Sequence, residues 1–169
     1  MKKRMMFLAL MLIAALGMQA QSLNGTWKTT LNDDEIDMDF YLTFAQKALT
    51  MKAIIREFDP EVGHITLSVE LPGTYTRTGN TLKMKTDIKQ AKVEIVKLDF
   101  VAEIADVLRG SPELKKKVSD ELQKEFEKSK EELVSDLPQN SELKIESQTA
   151  SKLTVRDESG ELMVFTKER

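Results

Sequence analysis

Cysteine is absent from this chain of 169 residues, and histidine and tryptophan occur once each. Without cysteine there is no disulfide, no thiolate metal site and no residue to carry a lipid at an export junction. A lone histidine, His64, excludes a histidine metal cluster, so no metal or cofactor is expected. His64 would also have to serve any Ser-His-Asp device. It lies in a turn-to-strand segment with no nucleophile elbow nearby, and it reads as a solvated loop residue. No catalytic residue is expected. Basic charge is scarce as well, with 25 Lys and Arg against 28 Asp and Glu. Nucleic acid is not an expected partner, because phosphate binding needs a concentrated basic face.

What the chain does have begins at its N-terminus. Lys2, Lys3 and Arg4 precede an uninterrupted apolar run from Met6 to Leu16, and small residues follow. This is the pattern of a secretory signal peptide, assigned to residues 1–20. Ala15-Leu16-Gly17 fits the small-x-small rule for cleavage, while a cut after Ala20 would leave Gln21 first, and the second is preferred. The run is shorter than the roughly 20 residues needed to cross a bilayer, so no membrane span is expected after cleavage. The expected location is periplasmic or secreted, without a lipid anchor. Residues 21–169 then form one domain, with 22 Lys and Arg against 28 Asp and Glu. A chain of that size can bury a core without staples.

From Gly25 to Leu98 apolar residues recur with period two. Ile36, Met38, Phe40, Leu42 and Phe44 alternate with Asp37, Asp39, Tyr41 and Thr43, which gives one apolar and one polar strand face. Leu49, Met51, Ala53 and Ile55 share a face of the next strand, and Ile65, Leu67, Val69 and Leu71 share a face of the one after it. Pro72-Gly73 is expected to turn the chain, and Gly79-Asn80 is a two-residue hairpin signal. Val93 and Ile95, with Lys97 extending the series, belong to a further strand, with Val96 and Leu98 on its other side. The acidic run Asp33, Asp34, Glu35, Asp37, Asp39 lacks the glycine and terminal glutamate of a calcium loop. It is read as an outward, hydrated strand face.

The period then changes. Phe100 to Leu108 is helically spaced and ends at Gly110. Ser111 is an N-cap and Pro112 fits the first helical position. Leu114, Val118, Leu122 and Phe126 follow at four-residue steps, continuing to Leu133 and Leu137 before Pro138. Glu113/Lys117, Asp120/Lys124 and Lys128/Glu132 are the expected supporting pairs. This amphipathic helix has a seam too narrow for full burial, and Lys115-Lys116-Lys117 reads as its solvated side. Period two returns in Leu143 and Ile145, and then in Leu153 and Val155 facing Met163 and Phe165 across Asp157-Glu158-Ser159-Gly160. The fold expected is mainly β: an up-and-down antiparallel barrel with a helical insertion at about 100–137. The alternative is an open α+β sheet curled round the long helix, with Trp27 remote from Lys167 and Arg169.

Gly25-Thr26-Trp27 resembles the Gly-x-Trp that opens the first strand of lipocalins and the wider calycin group. The hairpin Gly73-Thr74-Tyr75 … Gly79-Asn80-Thr81-Leu82 is similar to that of small lipocalin-like proteins exported by Bacteroidetes-type bacteria. The closing Ser151-Lys152-Leu153-Thr154-Val155 … Phe165-Thr166 shares that similarity. The resemblance implies that Gly25 and Trp27 close one end of the barrel, with Lys167 or Arg169 packed over the indole. The position of the helices departs from it, since the main lipocalin helix follows the eighth strand. The ligand surface expected is the inner face of Phe40, Leu42, Phe44, Met51, Ile55, Leu67, Val69, Tyr75 and Met84, for a small apolar molecule. The competing expectation is a filled barrel acting as a structural or interaction module on another envelope protein.

Overall fold

The computed structural model describes residues 22–32, 37–130, 134 and 139–168. The leader, the acidic residues Asp33, Asp34 and Glu35, the strand position Ile36, the helix positions Leu133 and Leu137, Pro138 and Arg169 lie outside them.

Alternating sequence becomes alternating burial. Strands β1 (Gly25–Asn32) and β2 (Asp37–Ala45) pair with Trp27 opposite Leu42 and Thr29 opposite Phe40, which sets Trp27, Leu42 and Phe44 on one face. Strand β3 (Ala48–Asp59) returns through a two-residue turn at Gln46 and Lys47, where Gln46 takes a φ of 56°. Then come β4 (Gly63–Thr78), β5 (Thr81–Thr86), a short 3-10 turn (Ile88–Gln90) and β6 (Lys92–Phe100). Helices α1 (Ala102–Arg109) and α2 (Pro112–Lys128) precede β7 (Asn140–Gln148), β8 (Lys152–Arg156) and β9 (Leu162–Lys167). Eight strands close the circuit β1-β2-β3-β4-β5-β7-β8-β9, antiparallel throughout, and β9 pairs back onto β1. The chain is therefore an up-and-down, lipocalin-like barrel, and the open α+β arrangement is excluded.

Strand β4 has two partners along one edge. Its first half, Gly63–Glu70, pairs with β6, and its second half, Gly73–Thr78, pairs with β5. Strand β6 thus stands outside the closed circuit. Pro72-Gly73 marks this change of partner and does not turn the chain, contrary to the sequence expectation. Pro72 sits between the last β6 pair and the first β5 pair, so its missing N–H falls at a gap in that edge. Gly73 is needed because a Cβ there would lie 2.3 Å from the Lys85 carbonyl oxygen.

A second correction concerns β6. Its register shifts at Thr66/Leu67, where Lys97 pairs with Thr66 and Ile95 with Leu67, leaving Val96 as the extra residue of a bulge. Val96 is accordingly 60% exposed. The bulge resets the alternation, so Leu98 falls opposite Ile65 on the inner side with Val93 and Ile95, and Lys97 turns outward.

The insertion starts later than its periodicity suggests, since Phe100 ends β6 and α1 begins at Ala102. Ser111 caps α2 by accepting from the Leu114 N–H at 3.4 Å, with Pro112 in the first turn. Along α2, Val118, Leu122 and Phe126 are half-buried and Leu114 is exposed, as a narrow seam requires. Lys124 reaches Glu121, three residues back, at 4.0 Å, in place of the expected Asp120, four residues back. Helix α2 lies along β6 and covers its outer edge with one side chain. Gln123 accepts from the Ile95 N–H at 2.9 Å and donates to the Val93 carbonyl at 3.0 Å, as one residue of a parallel strand would.

Candidate ligand site at the barrel mouth

The closed end is built around Trp27. Its ring is 1% exposed, and its Nε1–H donates to the Leu23 carbonyl at 2.7 Å. Lys167, opposite Trp27 in the β1–β9 ladder, places its Nζ 5.2 Å from the indole centroid. Gly25 makes room for that side chain, since a Cβ there would meet Lys167 Cε at 2.7 Å. Of the two basic candidates it is Lys167 that packs over the indole, and Arg169 lies outside the described residues.

Burial changes with distance from this plug. Moving away from Trp27, the inner face passes from Leu42 to Phe40 and Met38 on β2, from Met51 to Ala53 and Ile55 on β3, and from Phe165 to Met163 on β9. On each strand the first residue is buried and those after it are half-buried. The rest of the circuit behaves differently. Leu71, Val69 and Leu67 on β4, Leu143 and Ile145 on β7, and Val155 on β8 are all buried. Val134, 1% exposed, joins the core cluster shortly before β7 begins, and Phe126 of α2 packs against the same cluster. The helical segment thus covers one side of the open end and leaves a half-buried apolar arc of Phe40, Ala53, Ile55 and Met163 on the other.

The nine nominated ligand residues divide accordingly. Leu42, Phe44, Met51, Val69 and Met84 belong to the buried core cluster, and Leu67 is buried apart from it. Phe40 and Ile55 lie on the mouth arc. Tyr75 stands elsewhere. It meets Phe44 edge-on at 4.8 Å near the β2–β3 turn, and with Met84 it lines an outer cleft of about 430 Å³ beside the Lys83–Glu142 ion pair. Periodicity missed Phe126 and Val134 as mouth residues, because a helix's seam does not say which end of a barrel it covers.

The polar wall outside the barrel is also more ordered than a hydrated face. Asp39 is 7% exposed. It accepts from Thr30 Oγ1 at 2.7 Å and from Arg56 Nη2 at 2.5 Å, and it pairs with Lys28 Nζ at 3.1 Å. Burial pushes the Asp39 carboxyl pKa up, but hydrogen bonds from Arg56, Thr30 and Lys28 outweigh it and hold the group at about 2. Arg56 also bonds Asp37 at 2.9 Å, and Lys28 lies 5.4 Å from the Tyr41 ring centroid. The sequence hint was cross-strand: Thr30 is directly opposite Asp39, and Arg56 is diagonal to it across β3. Among the described residues no cluster of three or more His, Asp or Glu side chains could hold a metal ion. His64 is a strand residue of β4, its ring 4.9 Å from Phe58.

No protein-family model matches this chain, and no curated protein does. The fold and the site therefore rest on the chain's own geometry. No helix among the described residues is long and apolar enough to cross a membrane.

Proposed function

We propose that this chain is an exported, non-catalytic lipocalin-like protein that binds a small hydrophobic ligand at the mouth of its barrel. The half-buried arc of Phe40, Ala53, Ile55 and Met163 carries the reading, because it is where inner apolar surface stays accessible while the inner residues of β4, β7 and β8 are buried. Export rests on the leader read from residues 1–20 and places the protein in the periplasm or outside the cell.

Native mass spectrometry of protein purified from its own source tests this. The expected result is a reproducible added mass that disappears in Ala53→Phe, which fills the arc. Its absence from repeated preparations of the unaltered protein refutes ligand carriage. The structural or interaction module is then the better reading, and one observation already favours it. Trp27, Leu42, Leu82, Leu153, Val155 and Phe165 are 0–1% exposed, while Leu162 and Val164 on the outer face of β9 are 50% and 42% exposed.

A further inference from the structure

Beyond the mouth, where β4 and β6 extend past the barrel, the strand left out of the circuit builds a second concavity. The C-terminal half of β6 and the α1–α2 hairpin enclose a solvent-open cleft of about 460 Å³, within the size range of small-molecule sites. Leu98, Phe100, Ala105 and Leu108 provide its apolar lining. Leu98 stands opposite buried Ile65 in the β4–β6 ladder, and Leu108 is itself buried.

The rim has a sign. Arg109 and Lys115 line the cleft from either side of the α1–α2 turn. Arg109 Nη2 holds Asp106 at 2.7 Å, which uses part of a five-donor guanidinium. Among the described residues Lys115 makes no ion pair. The acid on the rim, Asp99, is engaged by Lys97 at 2.5 Å. An apolar trough bordered by uncommitted cationic donors, on a chain that is acidic overall, is complementary to one chemical class.

We infer that this cleft binds a single-chain amphiphile with a carboxylate head, the alkyl tail lying along Leu98, Phe100 and Leu108 and the head meeting Arg109 and Lys115. Apolar contact supplies affinity, and the charge-assisted hydrogen bonds orient the molecule. Its lining shares no residue with the mouth arc, and the site does not depend on a ligand there.

Titration of the full chain with dodecanoate, below its micelle threshold, tests the assignment by calorimetry. Dodecanoate should bind, and dodecyltrimethylammonium, with the same tail and a cationic head, should not. The pair Arg109→Glu and Lys115→Glu should weaken dodecanoate by about tenfold or more, since a tenfold change corresponds to one charge-assisted contact. Ala105→Phe, which fills the trough, should abolish binding. Both variants are to be compared at matched thermal midpoints, and the mouth variant Ala53→Phe should bind dodecanoate like the unaltered protein. Equal binding of both amphiphiles, or undiminished binding by the charge-reversed protein, overturns the assignment. So does loss of binding in the mouth variant alone, which would move the dodecanoate to the barrel. Co-sedimentation with anionic phospholipid vesicles in the absence of free dodecanoate binding would overturn it in favour of a membrane surface.

Discussion

Replacing Asp39 with asparagine should change how stability depends on pH more than any other single carboxylate change on the outer wall. The side chain is 7% exposed and bound by Arg56, Thr30 and Lys28, and its pKa stands at about 2 against an ordinary 3.8. Because the folded-state pKa is depressed, the native state holds the charged form more tightly than the unfolded chain does. That stabilisation is complete above about pH 4 and is lost as the pH falls through about 2. At 1.36 kcal/mol per pKa unit it amounts to about 2 kcal/mol. The asparagine variant keeps an acceptor for Thr30 but offers no charge to Arg56 or Lys28. It should therefore be less stable than the unaltered chain at pH 7, and the gap should close by about 2 kcal/mol between pH 4 and pH 2. Urea unfolding followed by Trp27 fluorescence measures this directly, since a single buried indole reports the transition. Asp37→Asn is the control. Its carboxyl bonds Arg56 too, but the side chain is 43% exposed, so the stability it loses at pH 7 should be small. A gap for Asp39→Asn that stayed constant from pH 7 to pH 2 would refute the view that the network holds this carboxylate charged.

Lys167→Met should remove the cation from the Trp27 ring and lower stability by about 0.5–2 kcal/mol, with a shift in indole emission at unchanged fold. Trp27→Phe should lose about 1 kcal/mol or more, because the Leu23 carbonyl loses its donor; equal urea midpoints would argue against the plug. Gln123→Leu leaves the Ile95 N–H and Val93 carbonyl unpaired, so Ile95 should exchange its amide hydrogen faster while β2 and β8 are unaffected. Gly73→Ala forces a Cβ to 2.3 Å from the Lys85 carbonyl and should cost about 1–3 kcal/mol, read as a lower thermal midpoint.

Much of the barrel was legible because period two carries its own consequence: a residue two positions from Leu42 must share its face. The Leu153/Phe165 and Val155/Met163 pairs follow from the same rule once a tight connection is placed at residues 157–160. Trp27 and Lys167 were legible through resemblance, and the structure puts them together. What period two does not encode is a strand's change of partner. Pro72-Gly73 looks locally like a turn, and only the pairing of the strands shows it to be a change of partner within one continuous strand. Nor does alternation survive a bulge, which is why Lys97 and Leu98 exchange faces after Val96. Asp39 was misread for a related reason. A charged residue on an outward face is normally hydrated, and its burial here depends on long side chains arriving from β1 and β3. The mouth and the cleft were the least legible, because both are made by helices meeting strands.

The place of the helices follows from the division of β4. A barrel strand of 16 residues is longer than its partner β5 can cover, and β6 occupies the half of the edge that β5 leaves free. Once β6 has done so, the chain stands outside the circuit, while the next barrel position, beside β5, is still empty. Reaching it requires a crossing from the β4–β6 extension to the start of β7, and residues 101–139 make that crossing. An extended crossing would leave the free edge of β6 unpaired. A helical one lets Gln123 satisfy that edge while Phe126 and Val134 reach the core. The same path must cover the near wall of the barrel before the far one, which accounts for the buried course of β4, β7 and β8 beside the half-buried arc on β2, β3 and β9. It also explains why the second apolar cleft opens under α1. The extension of β4 and β6 continues past the barrel, and a short hairpin of two helices covers only part of its inner face.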